Sequence, residues 1–205
     1  MKISLSDAGK RFNRDWIFRH LTFNFESSTS YAITGPNGSG KSTLLQLLAG
    51  AIDPSEGKIE WRINGNKIEE GKTYQKISIC APYLELVEEM TANEFLQFHC
   101  RFKPFLQGVG NDEILSTIGL AKAAQKQIRY YSSGMKQRLK LAQAIFSDTP
   151  VVLLDEPCTN LDEAGFQLYN LLLNDYCRNR LVIVSSNDKA EYSFCREVIN
   201  ISDYK

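Results

Sequence analysis

Four short runs, Ser30 to Thr34, Ile77 to Ala81, Val151 to Leu154 and Leu181 to Ser185, are mostly apolar without the alternation of a half-exposed strand. Such runs, bounded by turn-forming residues, predict strands buried on both faces. Between them the period changes. Thr43 to Ala49 and Ala164 to Tyr176 read as helices, and Met135, Leu139, Ala142, Ile145 and Phe146 have the spacing of one apolar helix face. Strands alternating with helices predict an α/β fold with a mainly parallel central sheet.

Two regions break the alternation. Residues 2–26 together with 58–70 read as antiparallel strands with turns, an added β layer. Residues 86–130 read as mostly helical, with Phe95, Phe98 and Phe102 spaced as a helix core face. No internal repeat or linker stands out, so one domain over 1–205 is expected: a core of 1–85 and 147–205, and a helical subdomain of 86–146.

Composition narrows the class. Lys plus Arg equals Asp plus Glu at 24 each, which lacks the basic excess of a nucleic-acid footprint, so no nucleic-acid partner is expected. The opening segment Met1 to Asp7 has no signal-peptide h-region, and no apolar stretch reaches spanning length, which predicts a cytoplasmic chain. Five scattered cysteines without ligand spacing predict buried reduced thiols, and His20 and His99 read as structural.

The chemistry begins directly after the first buried run, at Gly35-Pro36-Asn37-Gly38-Ser39-Gly40-Lys41-Ser42-Thr43. Its spacing is G-x-x-x-x-G-K-[ST] between a strand and a helix, the P-loop. Glycines let successive backbone N–H groups turn inward onto phosphate oxygens, and the following helix adds its N-terminal dipole. Lys41 is placed for the β- and γ-phosphates, and the Ser42 hydroxyl for Mg2+. The third run ends in Asp155-Glu156-Pro157, at the strand end where open α/β sheets bind ligands. Asp155 is expected to hold Mg2+ and Glu156 to orient and deprotonate the attacking water. The expectation is a P-loop NTPase fold that binds ATP and Mg2+, a description that also fits kinases and GTPases.

A third segment separates these. Tyr131-Ser132-Ser133-Gly134-Met135-Lys136-Gln137-Arg138 resembles the LSGGQ signature of ATP-binding cassette (ABC) proteins, and Thr159-Asn160-Leu161-Asp162 resembles their D-loop. The resemblance covers almost the whole chain. It implies that Ser132, Ser133 and Gly134 close on the γ-phosphate of ATP held by an opposite subunit, in a head-to-tail homodimer or heterodimer formed on ATP binding. It implies an ATP-hydrolysing subunit that drives transport through a separate membrane permease, held peripherally at the inner face of the membrane by that partner. Residues 84–105, with Glu85, Glu88 and Glu89, lie where the family receives the permease's coupling helix; a merely solvated acidic face is the other reading. Phe12 sits where the family stacks adenine, with Trp16 a second candidate and a core role open for either.

Departures from the family pattern bear on turnover. Ala81-Pro82-Tyr83 stands where the family has a Mg2+-contacting Gln, and Asn187 where it has a His that touches the γ-phosphate. The Asn187 amide can donate to a phosphate oxygen, but it carries no charge and shuttles no proton. Ser133 and Met135 replace the signature's usual Gly and Gln. The expectation is intact binding, with Glu156 as base and slow hydrolysis without the partner. Two other readings remain open: a soluble ABC ATPase outside transport, and a non-hydrolytic switch in which ATP only drives dimerisation.

Overall fold

In the computed structural model, which describes residues 1–27, 29–69 and 71–205, the strands divide between two sheets. The antiparallel sheet is built from β1 (Lys2–Phe12), β2 (Asp15–Glu26), β4 (Glu56–Ile63) and β5 (Asn66–Lys67), in the order β2-β1-β4-β5. This is the expected β layer; Glu70, at the end of its expected second segment, lies outside the described residues. Ile3 and Leu5 alternate inward along β1 until Asp7, where the backbone takes φ +50° and the pairing register shifts. Opposite the shift, Gly57 has φ +73°, and a Cβ there would strike the Asp7 carbonyl. Only glycine fits that approach.

The second sheet holds β3 (Ser30–Thr34), β6 (Ile77–Cys80), β7 (Val151–Asp155), β8 (Leu181–Ser185) and β9 (Glu197–Asn200), in the order β6-β7-β8-β3-β9. The pairs β7 with β8, β8 with β3, and β3 with β9 are parallel. Every residue of β7 and β8 is buried, which is why their sequences run apolar without alternation. Strand β9 was not anticipated, because only Ile199 of its four residues is buried and no apolar run marks it.

One core joins a face of the parallel sheet to the antiparallel strands. Ile33, Leu153 and Ile183 pack with Leu44, Leu45, Leu47 and Leu48 of α1 (Lys41–Leu48) and with Phe18, Leu21 and Phe25 of β2. Each buried leucine contributes about 1.5–3 kcal/mol. The indole N–H of Trp61 in β4 donates to the Leu48 carbonyl at 2.9 Å and ties the end of α1 to the antiparallel layer. This unit comprises 1–79, 150–156 and 179–205, and includes the short helix α6 (Lys189–Tyr192).

The other compact unit comprises 80–149 and 157–178, wider than the expected 86–146. It takes in α5 (Glu163–Tyr176) because α5 packs on α4 (Ser133–Ile145), Gln137 Nε2 donates to the Pro157 carbonyl at 2.6 Å, and Arg138 pairs with Asp162 at 3.2 Å. Within 86–130, α-helix is confined to α2 (Ala92–Cys100) and α3 (Asn111–Thr117), joined by turns, so "mostly helical" was too generous. A capping box starts α2: Thr91 Oγ1 accepts from the Glu94 N–H, and the Glu94 carboxylate accepts from the Thr91 N–H.

The three phenylalanines do not share a core face. Phe95 is buried, while Phe98 and Phe102 are 43% and 64% exposed, their rings edge to face 5.1 Å apart. Helix α2 ends at Cys100, which leaves Phe102 beyond it and Phe98 at the margin of the stripe formed by Ala92, Phe95 and Leu96. The α4 face holds for Leu139, Ala142, Ile145 and Phe146, all buried, while Met135 is only half-buried and Gln137 and Leu141 also turn inward. Among the described residues no cysteine is in a disulfide, and only Cys80 and Cys177 of the five are fully buried. Among the described residues no helix is long and apolar enough to cross a membrane.

Candidate functional site

Strand β3 ends at Thr34, and the chain enters the phosphate loop through Gly35 at φ +141°. Gly38 and Gly40 also take positive φ, +76° and +107°, and the Ser39 N–H closes a turn on the Pro36 carbonyl at 3.0 Å. A side chain at Gly40 would collide with Cγ2 of Ile17. Gly40 is the N-cap of α1 and supplies no side-chain cap, so the first-turn N–H groups have no capping oxygen and face an anion's place.

Lys41 is 5% exposed, and its ammonium donates to the carbonyls of Gly35 (2.8 Å) and Pro36 (3.4 Å). Those bonds hold the cation inside the loop. The loop and strand end form an open cavity of about 220 Å3 lined by Ile17, Asn37, Gly38, Gly40, Lys41, Ser42, Thr43 and Glu156. Sequence reasoning brought together all of these except Ile17, which only the β1–β2 pairing delivers.

Asp155 ends β7, and Glu156 follows it. Asp155 is 2% exposed, and its Oδ1 has no hydrogen-bond partner among the described residues. A buried carboxylate oxygen without a partner is costly unless a cation or its water completes it. With the Ser42 hydroxyl, it offers the hard oxygen donors that Mg2+ takes. No group of three or more His, Cys, Asp or Glu gathers around a metal position among the described residues. Glu156 sits at φ +43°, a left-handed conformation that is strained for a side-chain-bearing residue, and its N–H donates to the Ser185 carbonyl at 2.8 Å. Strand β8 thereby holds the turn that delivers Glu156 to the cavity.

Asn187, just beyond β8, reaches the same loop. Its amide donates to Asn37 Oδ1 at 2.9 Å. Phe12 stands at the tip of the β1–β2 hairpin opposite Asp15, 49% exposed, with the Lys10 ammonium 5.3 Å from its ring centroid. A core role for Phe12 is therefore overturned. Trp16 is half-buried, with the guanidinium groups of Arg11 and Arg19 at 5.4 Å and 4.2 Å from its ring centroid.

The signature residues line a cavity of about 440 Å3 in the helical unit, with Gly119, Lys122, Arg138, Asn160 and Asp162. Ser132 is the N-cap of α4, and its Oγ accepts from the Met135 N–H at 3.2 Å, leaving the hydroxyl hydrogen available to an acceptor. Ser133 is exposed, and Gly134 admits the Asn160 carbonyl: a Cβ there would stand 3.1 Å from it. The cations Lys122 and Arg138 were not singled out from sequence. Arg138 falls one turn beyond Gly134 on α4, a spacing that could have flagged it. On the neighbouring surface Glu88 pairs with Lys136 and Glu89 with Arg129, so two of the three acids expected on an exposed face are partly neutralised within the chain.

A parallel sheet with a phosphate loop after β3 and two consecutive carboxylates at the end of β7 defines a P-loop NTPase cassette. The family model "ABC transporter" matches residues 18–159. YybJ of Bacillus subtilis, an uncharacterized ABC transporter ATP-binding protein, is 30% identical over 191 residues, covering 92% of this chain and 87% of the relative. The cytochrome c biogenesis ATP-binding export protein CcmA of Haemophilus influenzae is 28% identical over 206 residues, covering 100% and 97%. Other relatives are longer: the chain spans 57% of the Bacillus subtilis protein YxlF, 34% identical over 174 residues. Among solved structures, a dimeric post-hydrolysis ATP-binding cassette bound to ADP and Pi superposes with a TM-score of 0.81 at 23% identity, over 97% of this chain and 94% of that one. The chain belongs to the ABC transporter family, among its ATP-binding proteins.

Proposed function

We propose that the chain binds ATP with Mg2+ and hydrolyses it, and that two cassettes pairing head to tail on ATP pass this motion to a separate membrane permease. The observation that carries the reading is the joint lining of one cavity by Lys41, Ser42 and Glu156, with the Glu156 backbone held in an unfavourable conformation by the Ser185 carbonyl. The cavity suits a polyphosphate rather than a whole nucleotide, so the base lies outside it, and the exposed Phe12 ring is the stacking surface that supports that placement.

Each residue has a role in the reaction. The loop N–H groups and Lys41 bind the β- and γ-phosphates, Glu156 takes the proton of the water that attacks the γ-phosphorus, and ADP departs with its new charge on the β-phosphate. Ser42 and Asp155 would hold Mg2+, which supplies charge neutralisation at the phosphate oxygens. Ser132, Ser133 and Gly134, with Lys122 and Arg138 beside them, offer donors and positive charge to the γ-phosphate of the opposite subunit's ATP. Dimerisation is supported by the dimeric state of the solved cassette, and the permease by the family to which the chain belongs.

The test is Mg-ATP turnover by the purified chain beside its Glu156→Gln variant, with dimerisation followed in the same samples. Turnover in the parent, lost in the variant while ATP-bound dimers accumulate, supports the reading. One observation favours a second reading, an ATP-dependent switch without hydrolysis: the residue at the position of the family's His is a neutral amide that donates to the loop at Asn37 and carries no charge. Dimers forming on ATP with no turnover in either protein, with or without a permease partner, would select that switch.

A further inference from the structure

We infer that Ser185 is a positioning residue for the divalent cation of this site: its hydroxyl holds a water of the ion's hydration shell beside Asp155. The inference rests on the proposed reading of the cavity as a Mg-ATP site. It begins from strand register. Asp155 and Ser185 are Cα partners on the adjacent parallel strands β7 and β8, as are Leu153 and Ile183 two residues earlier. Side chains at matched positions of paired strands emerge on the same face, and those two residues apart repeat that face. Leu153 and Ile183 belong to the core that contains the leucines of α1, so Asp155 and Ser185 point the same way, one step nearer the strand ends.

Both side chains are buried and incomplete. Ser185 is 0% exposed and Asp155 2%, and neither Ser185 Oγ nor Asp155 Oδ1 has a hydrogen-bond partner among the described residues. The rest of β8, Leu181 to Val184, is apolar and buried, so packing alone gives no use for a hydroxyl at its end. Two buried polar atoms on neighbouring strands are the setting in which an ordered water is held. Mg2+ keeps several of its waters, and a second-row hydroxyl orients one of them. The main chain of the same residue accepts the Glu156 N–H at 2.8 Å. Ser185 thus connects to both carboxylates, by its carbonyl to the base and by its hydroxyl to the metal's water.

The experiment uses Mn2+ and the non-hydrolysable analogue AMP-PNP with the full chain and its Ser185→Ala variant. Free Mn2+ is read by electron paramagnetic resonance, metal-free AMP-PNP affinity by calorimetry, and unfolding without nucleotide by Tm. Alanine removes the incomplete hydroxyl from a buried strand, so the variant's Tm is expected to equal or exceed the parent's. Its Mn2+ dissociation constant in the presence of AMP-PNP is expected to rise about fivefold, the worth of roughly one hydrogen bond, with metal-free affinity unchanged. Equal Mn2+ affinity in the two proteins overturns the role of Ser185 and leaves the ATPase reading standing. An equal loss of metal-free affinity also overturns it, because the effect would then belong to the loop. A parent that takes up neither Mn2+ nor AMP-PNP overturns both readings.

Discussion

The Asn187 side-chain amide donates to Oδ1 of Asn37 across 2.9 Å and joins the turn after β8 to the phosphate loop. An imidazole at 187 would act on a phosphate by charge, whereas this amide acts on the loop by a neutral bond between two exposed residues. Such a bond contributes about 1 kcal/mol at most. Asn187→Ala and Asn37→Ala are each expected to lower kcat/KM for ATP about three- to fivefold, and the double variant no further than the worse single. Steady-state kinetics on the four proteins checks this; losses that multiply would mean the two side chains act separately.

Phe12 and Trp16 differ in what already covers them. Phe12 is half-exposed with one cation nearby, while Trp16 already has two guanidinium groups against its ring. A base stacked on an aromatic ring is worth about 1–3 kcal/mol. Phe12→Ala is therefore expected to weaken ATP binding about tenfold. Trp16→Ala should change it less than twofold, as measured by titration with a fluorescent ATP analogue. The reverse order would move the base to Trp16.

Gly40 is constrained twice, by φ +107° and by Ile17. Gly40→Ala is expected to cost about 1–3 kcal/mol of stability and to reduce ATP affinity. Adding Ile17→Ala removes the collision but not the backbone strain, so denaturant unfolding should show partial recovery only. Full recovery would mean that the steric contact alone makes glycine necessary.

His99 carries the clearest pH dependence. Burial, with a smaller effect from the Lys103 charge, pushes its pKa down from 6.5 to about 4. Ser147 Oγ donates to the Gln143 carbonyl at 2.6 Å, so His99 Nε2 is the donor in its 2.8 Å bond to Ser147, and the neutral ring carries its proton there. Between pH 6.5 and 4 the unfolded chain binds a proton that the folded chain does not, so stability falls as pH drops through that window, by about 3 kcal/mol in total. His99→Gln is expected to flatten this part of the Tm against pH curve. An unchanged slope would assign the acid sensitivity to other groups.

Much of this was legible along the chain, for local reasons. Four apolar runs became β3, β6, β7 and β8 because a strand buried on both faces needs no alternation. The phosphate loop could be read because backbone N–H groups can converge on an anion only where glycines permit the turn. Segments whose burial comes from distant partners were not legible: β9 shows one inward residue, and Phe98 and Phe102 have core chemistry but no core to face.

By itself the sequence determined the candidate site, since Lys41, Ser42, Asp155 and Glu156 lie in contiguous motifs whose spacing is set by one strand and one turn. Tertiary structure alone decided which neighbours finish each group. Ile17 against Gly40, Asn187 on Asn37 and Ser185 level with Asp155 join residues 23, 150 and 30 positions apart by way of strand pairing and loop return. Local spacing carries no record of those approaches, because the register and the burial that create them arise only when separate strands are packed together.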